Sequence, residues 1–464
     1  SQSTAQGTTG PQGTQGSQGT IGDLGPTGAT GPQGSQGTQG SLGPQGTQGS
    51  IGPTGSSGGD ALYTVAANDT PALLKNRADY VCDGTADESE INTALALGDV
   101  QLMQGTFVIS SNIQVPANRN LSGAGKDTVL SASGLTSGFI GTYIITSTNT
   151  MLVNTGAANI TIRNLTMDGN QGASDAAFLI AFTVLGAGSG DSATNGCIIE
   201  NVNFINTTTT AILLKDTANC IITECTFANC YQDNITLSGS VSPAYNPTNT
   251  VISNNIINGA FCAVFVTRAV NTLIDHNICD SQVDRNIQLE HSDIIVVNAN
   301  SIINGDSSNV DVNDVDRLQI TNNFISANTG VDLVYLDDAP GVIISGNTIQ
   351  LGQSDGILIN NSPDAIIRDN RILENSQQTN NGYYGIEVNS CDNISIEGNT
   401  IRKGALANKQ AYGIRILSNT ARPFIHGNDL YTSGNTGDIT NASVTLKLRD
   451  NIANDGSWLG DDFV

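Results

Sequence analysis

The chain has 464 residues, of which 52 are glycine and only 13% are charged, a composition that indicates repeats rather than ordinary globular domains. Its formal net charge of −24 argues against binding to nucleic acid or to an anionic membrane surface. The sequence holds no run of 18 apolar residues, so we expect no membrane insertion.

Glycine occupies every third position from Gly7 to Gly58, through Gly10 and Gly31, eighteen times without a break. Only glycine fits at the crowded axis of three wound polyproline-II chains, so this period predicts a collagen triple helix and a homotrimer. A flexible Gly/Ser linker, the alternative, needs no period. We therefore divide the N-terminal part into a tail, residues 1–6, and a triple-helical stalk, residues 7–60.

The stalk has an unusual composition for a collagen. Every proline in it directly follows a glycine, as Pro11 and Pro32 do, and Asp23 is the only charged residue between Gly7 and Gly58. Glutamine and threonine fill most remaining positions, which resembles the collagen-like segments of bacterial and phage surface proteins. That resemblance implies an extracellular location, on a cell or virion surface.

A short helix is predicted next. Thr85 and Glu88 have the spacing of a capping box, and Ile91 and Leu95 follow on one helical face.

Four segments surround this helix in a characteristic order: Asp83-Gly-Thr-Ala-Asp87, Gly105-Thr-Phe107, Pro116-Ala-Asn118 and Leu121-Ser-Gly-Ala-Gly-Lys-Asp-Thr128. This order resembles the N-terminal cap of pectate-lyase-like right-handed β-helices, which include phage tailspikes. The resemblance implies a cap over residues 61–135 and a right-handed parallel β-helix over residues 136–464.

A repeat of the form apolar-x-x-Asn-x-apolar supports the same fold. Its asparagines are Asn255, Asn277, Asn300, Asn323, Asn347, Asn370, Asn399, Asn428 and Asn451. Most spacings are close to 23 residues, which is typical of one turn of a parallel β-helix, and they predict about twelve coils. We expect this asparagine ladder to be structural, with side chains at a coil corner that tolerate the left-handed conformation and hydrogen-bond to one another. Upstream, Leu165, Val202 and Cys225 occupy the same position.

A second strand in each coil is also visible. It is predicted at Ile235-Thr-Leu237, Val264-Phe-Val266, Ile287-Gln-Leu289, Val331-Asp-Leu-Val334, Ile357-Leu-Ile359, Ile386-Glu-Val388 and Ile414-Arg-Ile416. The fold class is therefore all-β: a single-stranded parallel β-helix behind a collagen stalk.

The eight cysteines form no C-x-x-C pair, so we predict no metal site from them. Cys197, Cys220, Cys225 and Cys279 are expected to point inward. Stacked buried thiols and a disulfide between neighbouring coils both stay open for Cys197 and Cys220.

One acidic edge is a candidate for chemistry. Counting back ten or nine residues from the ladder places Glu290, Asp314, Asp337 and Asp338 in the same turn of three neighbouring coils. Glycoside hydrolysis needs a protonated carboxyl and an ionised one, which such a stack could supply. A solvated acidic turn and an unassigned calcium site are the alternatives, so we assign no catalytic residue from the sequence.

The spacing of these acids is similar to that of the polygalacturonase family, which places its acids on consecutive coils. That resemblance implies a Gly-His-Gly coil next, where this chain has Ile359-Asn-Asn361. The pectate lyase motif is echoed only loosely by Ile274-Asp-His276.

Two functions remain open. The favoured one is an extracellular structural or adhesive protein, whose trimeric stalk and β-helix head form a surface fibre or filament by lateral or head-to-tail self-assembly. The alternative is a tailspike-like receptor-binding protein or polysaccharide depolymerase, a hydrolase or lyase whose partner is a surface polysaccharide. An incomplete catalytic motif and an aromatic content of 5% favour the first. No cofactor is expected apart from the unassigned calcium.

Overall fold

The structure of the protein is a computed structural model that describes residues 61–134, 150–155, 158–171, 178–183, 195–240, 246–280, 282–443, 445–453 and 455–459. The chain divides into two compact units, Ser1–Gly55 and Ser56–Val464. All described residues belong to the second unit. The predicted tail and stalk, with Gly7, Gly10, Gly31 and Gly58, therefore lie outside the described residues.

Helices are few in the described part of the chain. They are α1 (Ala72–Lys75) and α2 (Glu88–Leu97). Neither has the length and apolar run that crossing a bilayer requires. In α2 the side chains of Ile91 and Leu95 are fully buried, which confirms the predicted amphipathic helix.

The predicted capping box is wrong. Asp87, not Thr85, precedes the helix, and the Thr85 hydroxyl donates to Asp83 Oδ1 at 2.7 Å. Glu88 begins the helix and accepts hydrogen bonds from the backbone N–H and hydroxyl of Ser110 at 3.0 and 2.9 Å. Thr85 and Glu88 therefore make separate contacts, because Ser110, directly after β4, binds the glutamate.

Parallel strands stack in three sheets that wind around one core. Sheet A contains β1 (Leu62–Ala66), β3 (Asp99–Leu102), β6 (Asn120–Gly123), β9 (Ala158–Asp168), β11 (Asn195–Ile205), β13 (Ile221–Thr223), β16 (Thr248–Ser253), β19 (Val270–Asp275), the second half of β21 (Arg285–Asn298), β24 (Gln319–Thr321), β27 (Ile343–Ser345), β30 (Ile366–Arg368), β33 (Ser395–Glu397), β36 (Phe424–His426) and β38 (Lys447–Arg449). The short β2 (Tyr80–Val81) also pairs with β1.

Sheet B follows the asparagine corner of each coil. It contains β4 (Gly105–Ile109), β7 (Thr128–Ala132), the second halves of β9 and β11, β14 (Thr226–Ala228), β17 (Ile256–Asn258), β20 (Ile278–Asp280), β22 (Ser301–Gly305), β25 (Phe324–Asn328), β28 (Thr348–Gln350), β31 (Arg371–Leu373) and β34 (Thr400–Arg402).

Sheet C completes each coil. It contains β5 (Ile113–Gln114), β8 (Thr150–Thr155), β10 (Phe178–Thr183), β12 (Thr210–Lys215), β15 (Asp233–Ser238), β18 (Cys262–Thr267), the first half of β21, β23 (Val310–Asp316), β26 (Val334–Asp337), β29 (Ile357–Asn360), β32 (Tyr384–Asn389), β35 (Tyr412–Ile416) and β37 (Gly437–Asn441). The C-terminal strands β39 (Asn451–Ile452) and β40 (Trp458–Leu459) pair antiparallel.

The register is regular because one side chain of each type repeats up the axis. Ile222, Ile252 and Ile274, for example, are paired partners on β13, β16 and β19, and all three are fully buried. Neighbouring strands of such a stack lie about 4.8 Å apart. Buried apolar residues form one contiguous core, so the all-β parallel β-helix predicted from the repeats is confirmed.

One predicted strand was misplaced. The sequence favoured Val331-Asp-Leu-Val334, but the strand is β26, which begins at Val334. Val334 pairs with Val310, whereas Val331 lies before the strand with 46% of its surface exposed. An apolar residue in the preceding loop was mistaken for the first inward residue.

Candidate functional site

The ladder asparagines form a continuous hydrogen-bonded column inside the sheet A to sheet B corner. All nine are at most 2% exposed. In each coil the backbone N–H and the side-chain amide both donate to the next asparagine: from Asn300 to Asn323 Oδ1 the distances are 2.9 and 3.0 Å. The Asn300 amide also donates to the carbonyl of Ile274 at 2.9 Å. Each buried amide is thus used as donor and as acceptor, which is what burial demands.

The left-handed residue of this corner is not the ladder asparagine but the residue before it. Asn254, His276, Ala299 and Asn322 have φ of 57, 54, 53 and 58°, respectively. Glycine, as in Gly346, takes the same position in other coils because it adopts positive φ without strain. The expectation of left-handed ladder asparagines is therefore wrong: they are selected for the hydrogen-bonding capacity of the amide.

The predicted acidic edge lies at the end of the sheet C strands. Glu290 pairs in register with Asn313, and Asn313 with Asp337, so an asparagine separates the two acids along the stack. Asp314 and Asp338 follow directly and are exposed. The four residues therefore share one edge but do not enclose a site from which water is excluded.

The backbone conformation and hydrogen bonds of these acids give each of them a structural role. Asp314 and Asp338 adopt left-handed φ of 55 and 53°, where short polar residues are favoured. Asp314 Oδ2 lies 2.8 Å from His291 Nδ1, and Asp338 accepts a hydrogen bond from Asn361 one coil on. Glu290 accepts from Gln288 Nε2 at 2.6 Å. The contacts of Asp314 and Asp338 connect neighbouring coils at their surface, whereas that of Glu290 stays within its own strand.

The eight cysteines are all buried free thiols. Cys82 lies with Asp87 and Glu90 in the cap, where one ligand atom from each is within 4.8 Å of the others. Burial, then the nearby Asp87 and Glu90 charges, raises the pKa of the Cys82 thiol. Asp87 Oδ1 and Oδ2 accept from the N–H groups of Gly84 and Val108 at 2.9 and 2.8 Å, so this carboxylate joins the turn before α2 to β4.

A second group of acids, on sheet C, has more unusual surroundings. We call Asp332, Asp355, Glu387, Arg415 and Tyr384 the acid cluster. Asp332 Oδ1 accepts from the N–H of Asp355 at 2.9 Å, and Asp355 Oδ1 accepts from the N–H of Tyr384 at 2.5 Å. The two aspartates are 7% and 4% exposed. Their carboxyl groups thus lie one coil apart, each bonded to the start of the next coil.

Burial shifts the protonation of both aspartates. Burial first, then the Glu387 charge, raises the pKa of Asp332 to about 6. The pKa of Asp355 is raised well above its ordinary value by burial and by the charges of Asp332 and Glu387. Like charges in one desolvated site favour the neutral acid. The carboxyl groups of Asp332 and Asp355 therefore bind their protons more tightly than exposed aspartates do.

The accessible part of the acid cluster is cationic and aromatic. Arg415 Nη1 lies 3.1 Å from Glu387 Oε2, and the Arg415 guanidinium carbon lies 4.8 Å from the Tyr384 ring centroid. The rings of Tyr384 and Tyr412 are stacked with centroids 6.4 Å apart. Tyr335, in register with Leu358 and then Glu387, extends this surface by two coils. Aromatic faces and an arginine are groups that bind sugar rings.

The spacing of these residues in the sequence is also regular. Asp332, Asp355 and Tyr384 each lie 15 residues before a ladder asparagine, at Asn347, Asn370 and Asn399. Glu290 and Asp337 were located because they lie ten residues before a ladder asparagine. Counting back 15 residues in the same way locates Asp332, Asp355 and Tyr384. Their burial, which distinguishes them chemically, is visible only in the structure.

Comparison with protein families agrees with both parts of the chain. The family model for the right-handed β-helix region matches residues 184–334, 287–379 and 334–460, and the chain belongs to this family. The collagen triple helix repeat model matches residues 4–62. None of the curated proteins matches the chain in sequence.

Three solved structures share the fold at low identity. The A-module of the Azotobacter vinelandii mannuronan C-5 epimerase AlgE4 is 16% identical with a TM-score of 0.54, covering 79% of this chain and 96% of that one. Tailspike protein 3 of bacteriophage CBA120 is 13% identical with a TM-score of 0.53, covering 80% and 59%. PfbA, a surface adhesin of Streptococcus pneumoniae, is 13% identical with a TM-score of 0.52, covering 74% and 89%.

Proposed function

We propose that this chain is an extracellular structural and adhesive protein. Three Gly-X-Y segments wind into a collagen-like stalk that carries three β-helix heads, and the trimers form a fibre on a cell or virion surface. The observation that carries the proposal is the fusion, in one chain, of eighteen unbroken Gly-X-Y glycines to a β-helix with an asparagine ladder running from Asn255 to Asn451. Both modules are built from sequence repeats, which suits a fibre.

The likeness to a tailspike and to a surface adhesin supports the surface location. We place the stalk at residues 7–60, the cap at 61–135 and the β-helix at 136–464. Self-association, lateral or head to tail, would then build the fibre from trimers.

Replacing one glycine of the stalk tests the trimer. Gly31→Ala places a side chain at the axis of the triple helix and should lower the temperature at which the full-length trimer dissociates. Thr30→Ala is the matched control, since it keeps every glycine in place. Sedimentation velocity at increasing temperature measures both. Identical dissociation of the two variants would contradict a collagen stalk.

We further propose that the head binds a surface polysaccharide along sheet C. The supporting observation is the acid cluster, where Arg415 and Tyr384 lie beside Tyr412 on the outer surface. Its two aspartates are nearly inaccessible and bond to backbone N–H groups, which favours binding over cleavage. Isothermal titration of the full chain with neutral and with acidic oligosaccharides tests this, and no heat with any of them would contradict it.

Cleavage is the second candidate, because the raised pKa of Asp332 provides a proton donor near neutral pH. A reducing-sugar assay on every polysaccharide that binds decides this candidate. Release abolished by Asp332→Asn with Glu387→Gln would establish a depolymerase at the acid cluster. Release abolished only by Asp314→Asn with Asp337→Asn would instead assign the chemistry to the predicted edge.

A further inference from the structure

One outward-facing column of sheet A is apolar. In register, its residues are Ile198, Ile221, Val251, Leu273, Val296, Gln319, Ile343 and Ile366, one from each successive strand from β11 to β30. We call this column the sheet A strip. Its members are half-buried or exposed, since neighbours above and below shield each side chain. Ile221 is 37% exposed.

The strip is not part of the core. The inward column next to it, with Ile222, Ile252 and Ile274, is fully buried and already fills the interior. The next outward column on the same sheet is polar, and contains Glu200, Thr223, Ser253, Asp275 and Asn298. An outer surface of a sheet that faces water is expected to be polar, so an apolar column needs another explanation.

Sheet B carries further exposed apolar residues, which the polar column and the asparagine corner separate from the strip. There Ile256 and Ile278 are each 44% exposed and Phe324 is 41% exposed. Ile256 and Ile278 are register partners on successive coils. Ser301 lies between Ile278 and Phe324 in this register, so the apolar surface that is contiguous over several coils is the sheet A strip itself. A contiguous apolar surface, unlike apolar residues scattered singly, is typical of an interaction surface.

Charge favours a second copy of this chain as the partner. The chain carries a net charge of −24, so two copies repel each other over most of their surfaces. From Ile198 to Ile366 the strip contains no charged residue, and its one polar member is Gln319. A surface without charge can contact its own copy without this repulsion.

The proposed triple helix of the Gly-X-Y repeats would bring three copies of the chain together. Three chains wound in one stalk would hold three heads at a high effective concentration, so that a modest apolar contact suffices to associate them. We infer that the sheet A strip is the contact between the three β-helix heads, which pack around a threefold axis with the strip turned inward. This inference rests on the trimer of the proposed function, and it leaves sheet C accessible for ligand.

Two spin-label positions test the inference in the full-length chain. Gln319→Cys places a label within the strip, and Asn313→Cys places a matched label on sheet C of the same coil. The eight native thiols are at most 2% exposed, so the introduced thiol is the reactive one, and the unsubstituted chain is the labelling control. Pulsed electron paramagnetic resonance then measures the distance between equivalent labels.

The expected result is a trimer in which the Gln319→Cys labels lie much closer together than the Asn313→Cys labels. Leu273→Lys with Val296→Lys, which places charge in the strip, should lengthen the first distance and leave the trimer mass unchanged. A trimer whose Gln319→Cys labels are no closer than the control labels would overturn the inference while the trimer stands, and the strip would then be covered by something else. A monomer would overturn both the inference and the trimer.

Discussion

The β-helix contains two columns of short, buried polar side chains, and the two columns differ in how their polar groups are satisfied. In the asparagine ladder every amide donates to the next oxygen and accepts from the previous residue, as between Asn300 and Asn323. In the acid cluster, Asp332 and Asp355 can only accept when ionised, and each repels the other.

The difference shows where the fold accepts a cost in stability. A neutral ladder can be repeated indefinitely, because each added coil satisfies the one before it. Two buried carboxyls on adjacent coils cannot be justified by stability alone, since asparagine at either position would accept the same backbone hydrogen bond without charge. Such a departure from local consistency is expected at a functional site.

The largest expected effect is at the ladder. Asn323→Asp removes the amide donor that reaches Asn347 and Val297, and it buries a charge in the column. We expect the free energy of unfolding to fall by about 4 kcal/mol at pH 7. Asn322→Asp is the control, because Asn322 is the exposed neighbour. Urea denaturation measures the stability of both variants. Equal unfolding midpoints for the two variants would contradict a special role of the ladder position.

The next largest effect is expected in the acid cluster, where replacing an aspartate by asparagine should stabilise the protein. Because the pKa of Asp332 is raised to about 6, the folded state binds its proton more tightly than the unfolded state does. Asp332 therefore costs stability at pH 7, and this cost disappears as the pH falls through 6 towards 4. Asp332→Asn should raise the free energy of unfolding at pH 7 by up to about 3 kcal/mol.

The control for this prediction is Asp316→Asn, which removes the same charge from an exposed position. Urea midpoints at pH 7 and pH 4 provide the comparison. If Asp332→Asn destabilised the protein at pH 7, the carboxylate would be a structural acceptor like the ladder amides.

The smallest effect concerns binding. Tyr384→Leu removes the ring beneath Arg415 and should weaken oligosaccharide binding about tenfold, or about 1.4 kcal/mol. Tyr431→Leu is matched, because Tyr431 lies 5.9 Å from the Arg402 guanidinium carbon outside the acid cluster. Titration calorimetry should separate the two variants. Equal losses would mean that the acid cluster is not the binding surface.

Much of the fold could be predicted because a β-helix repeats its constraints. The 23-residue spacing identified the ladder, and apolar triplets such as Ile357-Leu-Ile359 identified sheet C. Local competition was less predictable: Glu88 bonds to Ser110 rather than forming a capping box with Thr85, and Val331 lies outside its strand.

The candidate site was predicted less well, for a physical reason. Glu290, Asp314, Asp337 and Asp338 were found from their spacing, which locates a residue in the coil but does not give its burial. Asp332 and Asp355 have equally regular spacing, and only their surroundings in sheet C make their carboxyl groups unusual. Desolvation depends on what packs around a side chain, and the sequence pattern does not encode that directly.

The proposed stalk and fibre depend most directly on the number of chains in the native particle. Native mass spectrometry of the full-length protein, below the melting temperature of the stalk, measures that number. The proposed surface fibre predicts particles of three times the 48.0 kDa chain or multiples of that trimer. Single 48.0 kDa chains would contradict the collagen stalk and with it the fibre.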